Sequence, residues 1–128
     1  MRNIEKLILH CSDSNLKAHD SIDIIRQWHL ERGFTDVGYH FFIKSDGVIE
    51  KGRDIDKVGA HCKGQNSNSI GICLHGKNIN DFNNDQFTSL NRLLNSLCII
   101  FPEVSIHGHN EYSKKTCPVF NVEPFKTI

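Results

Sequence analysis

The sequence lacks net charge, long apolar runs and an export signal. Its 128 residues carry fifteen basic and fifteen acidic side chains, so the formal charge is zero at pH 7. Nucleic-acid-binding domains usually have a basic face, and we therefore expect no nucleic-acid partner. No apolar stretch approaches the roughly 18 residues of a membrane span, so we expect no membrane insertion. The first six residues contain no apolar segment of the signal-peptide kind, which predicts a cytoplasmic location in the producing cell.

Paired cysteines are also absent. Five cysteines, an odd number without a repeating spacing, do not form the pattern of a disulfide framework. Reduced thiols are typical of proteins made in a reducing compartment. The sequence contains no internal repeat, low-complexity run or linker, and its length is typical of one domain. We therefore predict a single domain that spans residues 1–128.

Apolar periodicity predicts strands that alternate with helices, which is the pattern of an α/β protein. Ser21 and Gly33 are typical caps at the two ends of a first helix. Asn83 with Gln86 resembles a capping box that opens a second helix, and this helix should end before Pro102. The predicted strands are Lys6–His10, Tyr39–Lys44, Val48–Lys51, Ser69–His75 and Val104–His109.

The dipeptide Asp46-Gly47 predicts a hairpin with a type I′ turn. A hairpin requires one antiparallel pair, so we predict a mixed central sheet with helices packed on its faces. Regular alternation along the first hairpin strand would put Tyr39 and His40 on opposite faces. These two side chains should therefore not both reach one site.

Side chains that bind metals are concentrated near the C-terminus. His107, His109 and Cys117 carry the imidazole and thiol groups that zinc prefers, and Lys115 lies among them. A catalytic zinc needs three protein ligands and one open position, so one ligand must come from elsewhere. His10, which ends the first apolar strand, is the best candidate. Strand alternation puts His107 and His109 on the same side, so periodicity does not choose between them.

The segment 52–68 is rich in Gly, Lys and Asn and predicts an irregular loop. Loops carried on a rigid scaffold often supply substrate contacts. His61 and Asn66 are the best candidates for such contacts, and ordinary solvated loop residues are the competing interpretation. Tyr39 is either a catalytic residue or a residue at the edge of the core whose hydroxyl finds a partner.

A series of short motifs extends from the first strand to the last loop. They are Ile8-Leu9-His10, Val37-Gly38-Tyr39-His40-Phe41, Asp46-Gly47 with Gly52-Arg53-Asp54, Val58-Gly59-Ala60-His61, Asn66-Ser67-Asn68-Ser69-Ile70-Gly71-Ile72, Gly108-His109-Asn110-Glu111 and Lys115-Thr116-Cys117-Pro118. In this order they resemble the type 2 N-acetylmuramoyl-L-alanine amidases, a zinc-dependent family. That family includes the amidase-type lysozymes of T-odd phages and the peptidoglycan-recognition proteins. Each motif alone is weak, whereas the ordered set is specific.

The resemblance implies a fold, a cofactor and an activity. The fold is a mixed sheet with helices on both sides and a shallow groove that contains one zinc ion per chain. The zinc ligands would be His10, His109 and Cys117, and His107 would not be a ligand. The activity would be hydrolysis of the amide between N-acetylmuramic acid and L-alanine in peptidoglycan.

The same resemblance makes Tyr39 and Lys115 catalytic residues. Lys115, two residues from a ligand, would stabilise the oxyanion, and Tyr39 would orient the water or relay a proton to the departing amine. Arg53 joins His61 and Asn66 as an expected substrate-binding residue. No glutamate occupies an obvious position for a general base, although Glu111 could orient a ligand.

Two other functions compete with the amidase. A peptidoglycan-binding module without activity would keep the groove, but relatives of that kind lose the metal ligands. A cysteine hydrolase would use Cys117 with a histidine base. A structural zinc usually has four protein ligands, and we find no convincing fourth. We expect a monomer that acts on the cell wall after release, in a phage lysin, in wall recycling or in attack on a neighbour.

Overall fold

A computed structural model describes residues 2–127, which form one sheet and two α-helices. The elements are β1 (Lys6–Cys11), α1 (Ile22–Glu31), β2 (Phe41–Ile43), β3 (Ile49–Lys51), β4 (Ser69–Leu74), α2 (Asn84–Ile100) and β5 (Ser105–Gly108). The strand order is β3-β2-β4-β1-β5. Only β2 and β3 pair antiparallel, and the other three pairs are parallel. The predicted mixed sheet is therefore confirmed.

The two helices cover opposite faces of the sheet. On one face, Ile70, Ile72 and Leu74 pack with the leucines of α2 in the larger core cluster. On the other face, Cys73 and Phe42 pack against Ile22 and Ile25 from the start of α1. Alternation along β4 sends its residues to the two faces in turn. No helix within residues 2–127 has the length and apolarity that a bilayer span requires.

Local signals set the ends of both helices as predicted. The Ser21 hydroxyl accepts the backbone N–H of Asp23, and Gly33 follows α1 with a φ of 91°. Asn83 and Gln86 form the reciprocal hydrogen bonds of a capping box at the start of α2. These bonds satisfy backbone groups that a helix end would otherwise leave unpaired.

The hairpin turn differs from the prediction. A type I′ turn needs positive φ at both central residues, but only Gly47 has one, at 87°. The Gly47 N–H donates to the Lys44 carbonyl, and the Lys44 N–H donates to the Val48 carbonyl. The strands are thus joined by a three-residue loop with glycine in the left-handed position, which is the next most common hairpin connection.

The predicted alternation at Tyr39 and His40 is wrong because β2 begins only at Phe41. Tyr39 packs with the α1 cluster, on the same face as Phe42 rather than Phe41. His40 lies on this side too, where its Nδ1 accepts the Gly71 N–H at 3.0 Å. The segment before a strand is not bound by the strand's period, so both residues reach one region.

His29 connects α1 to the segment that carries Tyr39. Its Nδ1 accepts the Gly38 N–H at 2.7 Å, and the side chain is buried. Burial, followed by the positive charges of Arg32 and Arg53, lowers the pKa of His29 to about 4. The neutral ring is therefore the form that the fold requires near neutral pH.

We expect acid to destabilise the fold through His29. Between about pH 6.5 and pH 4 the unfolded chain binds a proton at His29 and the folded chain does not, so the free energy of unfolding falls as the pH falls. A His29→Asn variant keeps an acceptor that cannot be protonated, and its slope of free energy against pH should be smaller by up to about one proton. Urea unfolding of both proteins in the same buffers measures the slopes. Equal slopes would contradict this role.

Candidate metal centre and active site

Three metal-binding side chains converge at one edge of the sheet. One donor atom from each of His10, His109 and Cys117 lies within 4.8 Å of the others. The His10 Nδ1 is 3.9 Å from the Cys117 Sγ. Tetrahedral zinc with two nitrogens and one sulfur would hold these atoms about 3.3–3.6 Å apart. The set therefore fits a zinc ion after a small contraction, and it is the one such group that residues 2–127 contain.

Parallel pairing of β1 with β5 brings the two histidines together. Leu9 pairs with Gly108, so His10 and His109 each follow one step beyond a matched pair. Their ring centroids are 4.6 Å apart. The strand period ends at Gly108, and His109 begins a 3₁₀ turn that extends to Glu111. This turn brings His109 close to His10 and Cys117. Strand alternation alone could not distinguish His109 from His107 as the ligand.

His107 is not one of the three converging side chains and instead contacts Glu111 and Ser105. Its Nδ1 lies 2.9 Å from a Glu111 carboxylate oxygen, and its Nε2 lies 2.6 Å from the Ser105 hydroxyl. The second Glu111 oxygen accepts the Gly108 N–H at 2.8 Å. Burial opposes ionisation of Glu111, but the hydrogen bonds from His107 and Gly108 outweigh it and lower its pKa. Through these hydrogen bonds Glu111 stabilises the turn that contains His109.

Cys117 lies in the loop after this turn. The Cys11 N–H donates to its Sγ at 3.2 Å, which is a suitable partner for a thiolate. The hydrogen bond with the Cys11 thiol, followed by burial, raises the pKa of Cys117. Without a cation the side chain is therefore a thiol at neutral pH, whereas a metal ion binds and stabilises the thiolate.

Both histidines are neutral, which is the form that binds metals. Burial, followed by the neighbouring His61 and His109, lowers the pKa of His10 well below its usual value. Burial and the positive charge of Lys115 lower the pKa of His109. His10 is 1% exposed, and its Nε2 lies 2.9 Å from the His61 Nδ1.

The two predicted catalytic residues lie beside the three donors. The Tyr39 ring centroid is 5.0 Å from that of His10. Burial, followed by the Cys73 thiol, raises the pKa of Tyr39 well above its usual value, so the hydroxyl keeps its proton and can donate it in a hydrogen bond. Lys115 is close enough to His109 for its charge to act on the imidazole.

An open groove of about 770 Å³ runs over this site. Its lining includes Tyr39, His109, Lys115 and Cys117, together with residues for which no functional role was predicted. Among these are Trp28 of α1, Arg32 directly after this helix, Asp13, Lys77 and Lys114. Arg32 lies four residues after Trp28, and its N–H donates to the Trp28 carbonyl at the end of α1, so this spacing could have indicated that they share a face.

His61, Asn66 and Arg53 are not among the residues that line the groove. His61 is 9% exposed and lies behind His10. The Asn66 side-chain oxygen accepts the backbone N–H groups of His61 and Cys62, each at 2.9 Å. The Arg53 guanidinium donates to carbonyls on both sides of its loop, including those of Val37 and Val58. These placements do not support the expectation that the three residues contact substrate.

Comparison with known proteins identifies relatives over most of the chain. The chain is 40% identical over 124 residues to the endolysin of Enterobacteria phage K11, covering 92% of this chain and 82% of the relative. It is 41% identical over 125 residues to the endolysin of Escherichia phage T7, covering 93% and 83%.

A solved structure and a family model agree with these relatives. N-acetylmuramoyl-L-alanine amidase LysC from Clostridium intestinale URNW superimposes with a TM-score of 0.89 at 30% identity, covering 98% of this chain and 85% of that chain. The family model for N-acetylmuramoyl-L-alanine amidases matches residues 1–120. The chain therefore belongs to the N-acetylmuramoyl-L-alanine amidase family.

Proposed function

We propose that the peptidoglycan amidase activity of this chain depends on one zinc ion held by His10, His109 and Cys117. The observation that carries the proposal is the convergence of three zinc-preferring donors, from distant parts of the chain, beside an open groove. The bond that is cleaved joins N-acetylmuramic acid to L-alanine. The family resemblance supports the same three ligands.

The donor set determines the charge of the site. Two neutral imidazoles and one thiolate contribute a single negative charge, and three ligands leave one tetrahedral position free. When bound, zinc supplies Lewis acidity, lowering the pKa of a coordinated water towards about 7 and polarising a carbonyl oxygen. The Cys11 N–H holds the thiolate in place through its hydrogen bond to Cys117.

Lys115 is the residue that we assign to the oxyanion. Hydrolysis of an amide places negative charge on the former carbonyl oxygen, and a fixed cation stabilises this charge. Lys115 lines the groove beside His109, so its ammonium can reach an oxygen at the metal centre. The same charge favours the neutral form of His109.

Tyr39 is the residue that we assign to proton transfer. Its hydroxyl keeps its proton at neutral pH because burial raises its pKa. From its place over His10 it can orient the attacking water or deliver a proton to the departing amine. The ring also covers one side of His10, so its loss would affect packing as well as chemistry.

The charges along the groove suit a peptidoglycan stem. Arg32, Lys77, Lys114 and Lys115 line it, against the single carboxylate of Asp13. Stem peptides carry free carboxylates, which a positive groove attracts and orients. We further propose that one chain acts alone, since it supplies all three ligands, and that it reaches the wall after release from the producing cell.

The two alternative functions are less well supported. A cysteine hydrolase needs a nucleophile with a lowered pKa, but the hydrogen bond with Cys11 and burial raise the pKa of Cys117. A binding module without activity has no need of a complete donor set with Tyr39 and Lys115 beside it. Amidase function gives a role to each of the three ligands and to Tyr39 and Lys115.

Substitution of Cys117 separates the zinc amidase from the cysteine hydrolase. We expect Cys117→Ser to lose both bound zinc and activity, because a hydroxyl is a poor substitute for a thiolate ligand. Metal analysis gives the zinc content, and mass spectrometry of digested sacculi gives the peptides released. An inactive variant that keeps one zinc per chain would favour the cysteine hydrolase. Full activity of metal-free wild-type protein would exclude the zinc mechanism.

Lys115→Ala should keep its zinc and lose activity. One oxyanion donor contributes about 10²–10³-fold to kcat, so we expect a loss of this size with a smaller change in KM. Lys114→Ala is the matched control, since Lys114 lines the same groove and should change kcat less than about tenfold. Equal losses in the two variants would indicate that the groove's overall charge matters and not the position of Lys115.

Tyr39→Phe removes the hydroxyl and keeps the ring against His10. We expect kcat to fall by about 10²-fold or more, with zinc content unchanged, because general acid–base groups contribute about 10²–10⁴-fold. The matched control is Tyr112→Phe, since the Tyr112 ring packs beside His107, away from the three ligands. A Tyr39→Phe enzyme with wild-type kcat would exclude a role in proton transfer.

A further inference from the structure

His61 lies directly behind the candidate zinc ligand His10. The His61 Nδ1 is 2.9 Å from the His10 Nε2, and the two rings are perpendicular with centroids 4.9 Å apart. We propose that His61 is a positioning residue, which fixes the tautomer and orientation of His10 for metal binding. This inference rests on the zinc site proposed above and extends it to a residue that touches neither metal nor substrate.

The tautomers follow from the contacts. The His10 Nδ1 faces the Cys117 Sγ, so it must be unprotonated to bind a cation, and the proton of the neutral ring is then on Nε2. That Nε2–H donates to the His61 Nδ1. His61 therefore carries its own proton on Nε2. The direction of the first hydrogen bond determines the state of both rings.

The hydrogen bonds continue in the same direction to the protein backbone. The His61 Nε2 lies 3.2 Å from the Ser69 hydroxyl oxygen, so the Nε2–H of this tautomer donates a hydrogen bond to that oxygen. The Ser69 hydroxyl in turn donates to the Gln65 carbonyl at 2.6 Å. Ser69 is fully buried, so water does not compete for these bonds. The hydrogen bonds thus run from His10 to His61, from His61 to Ser69 and from Ser69 to the Gln65 carbonyl. Each donor along this path has one acceptor.

The His61 ring packs closely against the backbone of two glycines. A Cβ on Gly71 would lie 2.5 Å from the His61 Cγ, and a Cβ on Gly59 would lie 2.7 Å from its Cδ2. The ring therefore occupies space that any larger residue at either position would fill. Asn66 holds the other end of the residue through the backbone N–H groups of His61 and Cys62. With both ends fixed, His61 has little freedom to turn away from His10.

A substrate-binding role does not explain this arrangement. His61 is 9% exposed, is not among the residues that line the groove, and has both ring nitrogens hydrogen-bonded to protein groups. In zinc sites, a metal-binding histidine generally donates its other ring N–H to a hydrogen-bond acceptor. This acceptor orients the ring and so raises the affinity for the metal. An imidazole in this place orients His10 without adding negative charge near the metal.

Zinc affinity tests the proposal without reference to activity. We expect His61→Leu to weaken zinc binding by about 10–100-fold, the usual effect of losing such a partner, in competition titrations with a chromophoric chelator. His61→Asn should bind zinc within a few-fold of wild type, because its side-chain oxygen can accept the same proton. In cobalt-loaded protein, the visible spectrum of His61→Leu should shift and that of His61→Asn should not.

The wild-type protein provides a second test that does not depend on the folding of a variant. In the zinc-loaded protein, imidazole ¹⁵N spectra should identify both His10 and His61 as the Nε2–H tautomer. A proton on the His61 Nδ1 would overturn the proposal. So would a folded His61→Leu protein with wild-type zinc affinity, or His61→Asn as weak in zinc binding as His61→Leu. Wild-type protein that binds no zinc would instead overturn the metal site itself.

Discussion

Parallel pairing of β1 with its two neighbours is the constraint on which the site depends. Parallel strands end at the same edge of a sheet, so His10 at the end of β1 meets the chain that leaves β5. The core residues of these strands are buried, which fixes their register because a one-residue slip would send the apolar side chains to the wrong face. Burial of Leu7 and Leu9 towards α2 therefore also holds His10 towards α1. The core and the metal centre are specified by the same alternation.

Two neutral histidines, His29 of α1 and His40 just before β2, lie on the α1 side of the sheet. His29 and His40 each use Nδ1 to accept a backbone N–H, from Gly38 and Gly71 respectively. Burial, the first cause in both cases, lowers the pKa of each ring to about 4. These rings connect the irregular segments around Tyr39 to the regular elements. Neutral imidazoles thus supply part of the polar contacts that order the side of the molecule that holds the zinc ligands.

Local sequence signals predicted most of the fold. The capping residues Ser21 and Asn83, the alternation of β4 and the hairpin glycine all act over a few residues, and each is present in the structure. The family resemblance indicated the three ligands, and the structure brings their donor atoms together. The type of turn at Gly47 differed, because the number of residues in positive φ depends on how the two strands meet. The alternation predicted at Tyr39 and His40 was wrong as well, because β2 begins only at Phe41.

The remaining features of the site depend on contacts between distant residues. Tyr39 reaches His10 because β2 begins later than its composition indicates, which alternation cannot reveal. The position of His109 depends on the turn that Glu111 caps. From the sequence, His61 is an ordinary loop residue. Its role depends on the contact with Ser69 of β4, which only the folded chain brings next to it. A single sequence contains no period or local motif that reports such contacts.

X-ray absorption at the zinc edge of the purified protein tests the central claim most directly. The account predicts one zinc per chain with two nitrogen scatterers at about 2.0–2.1 Å, one sulfur at about 2.3 Å and one further light atom in the open position. A zinc shell without sulfur, or with four protein donors, would contradict it. Purified active protein that contains no zinc would contradict it as well.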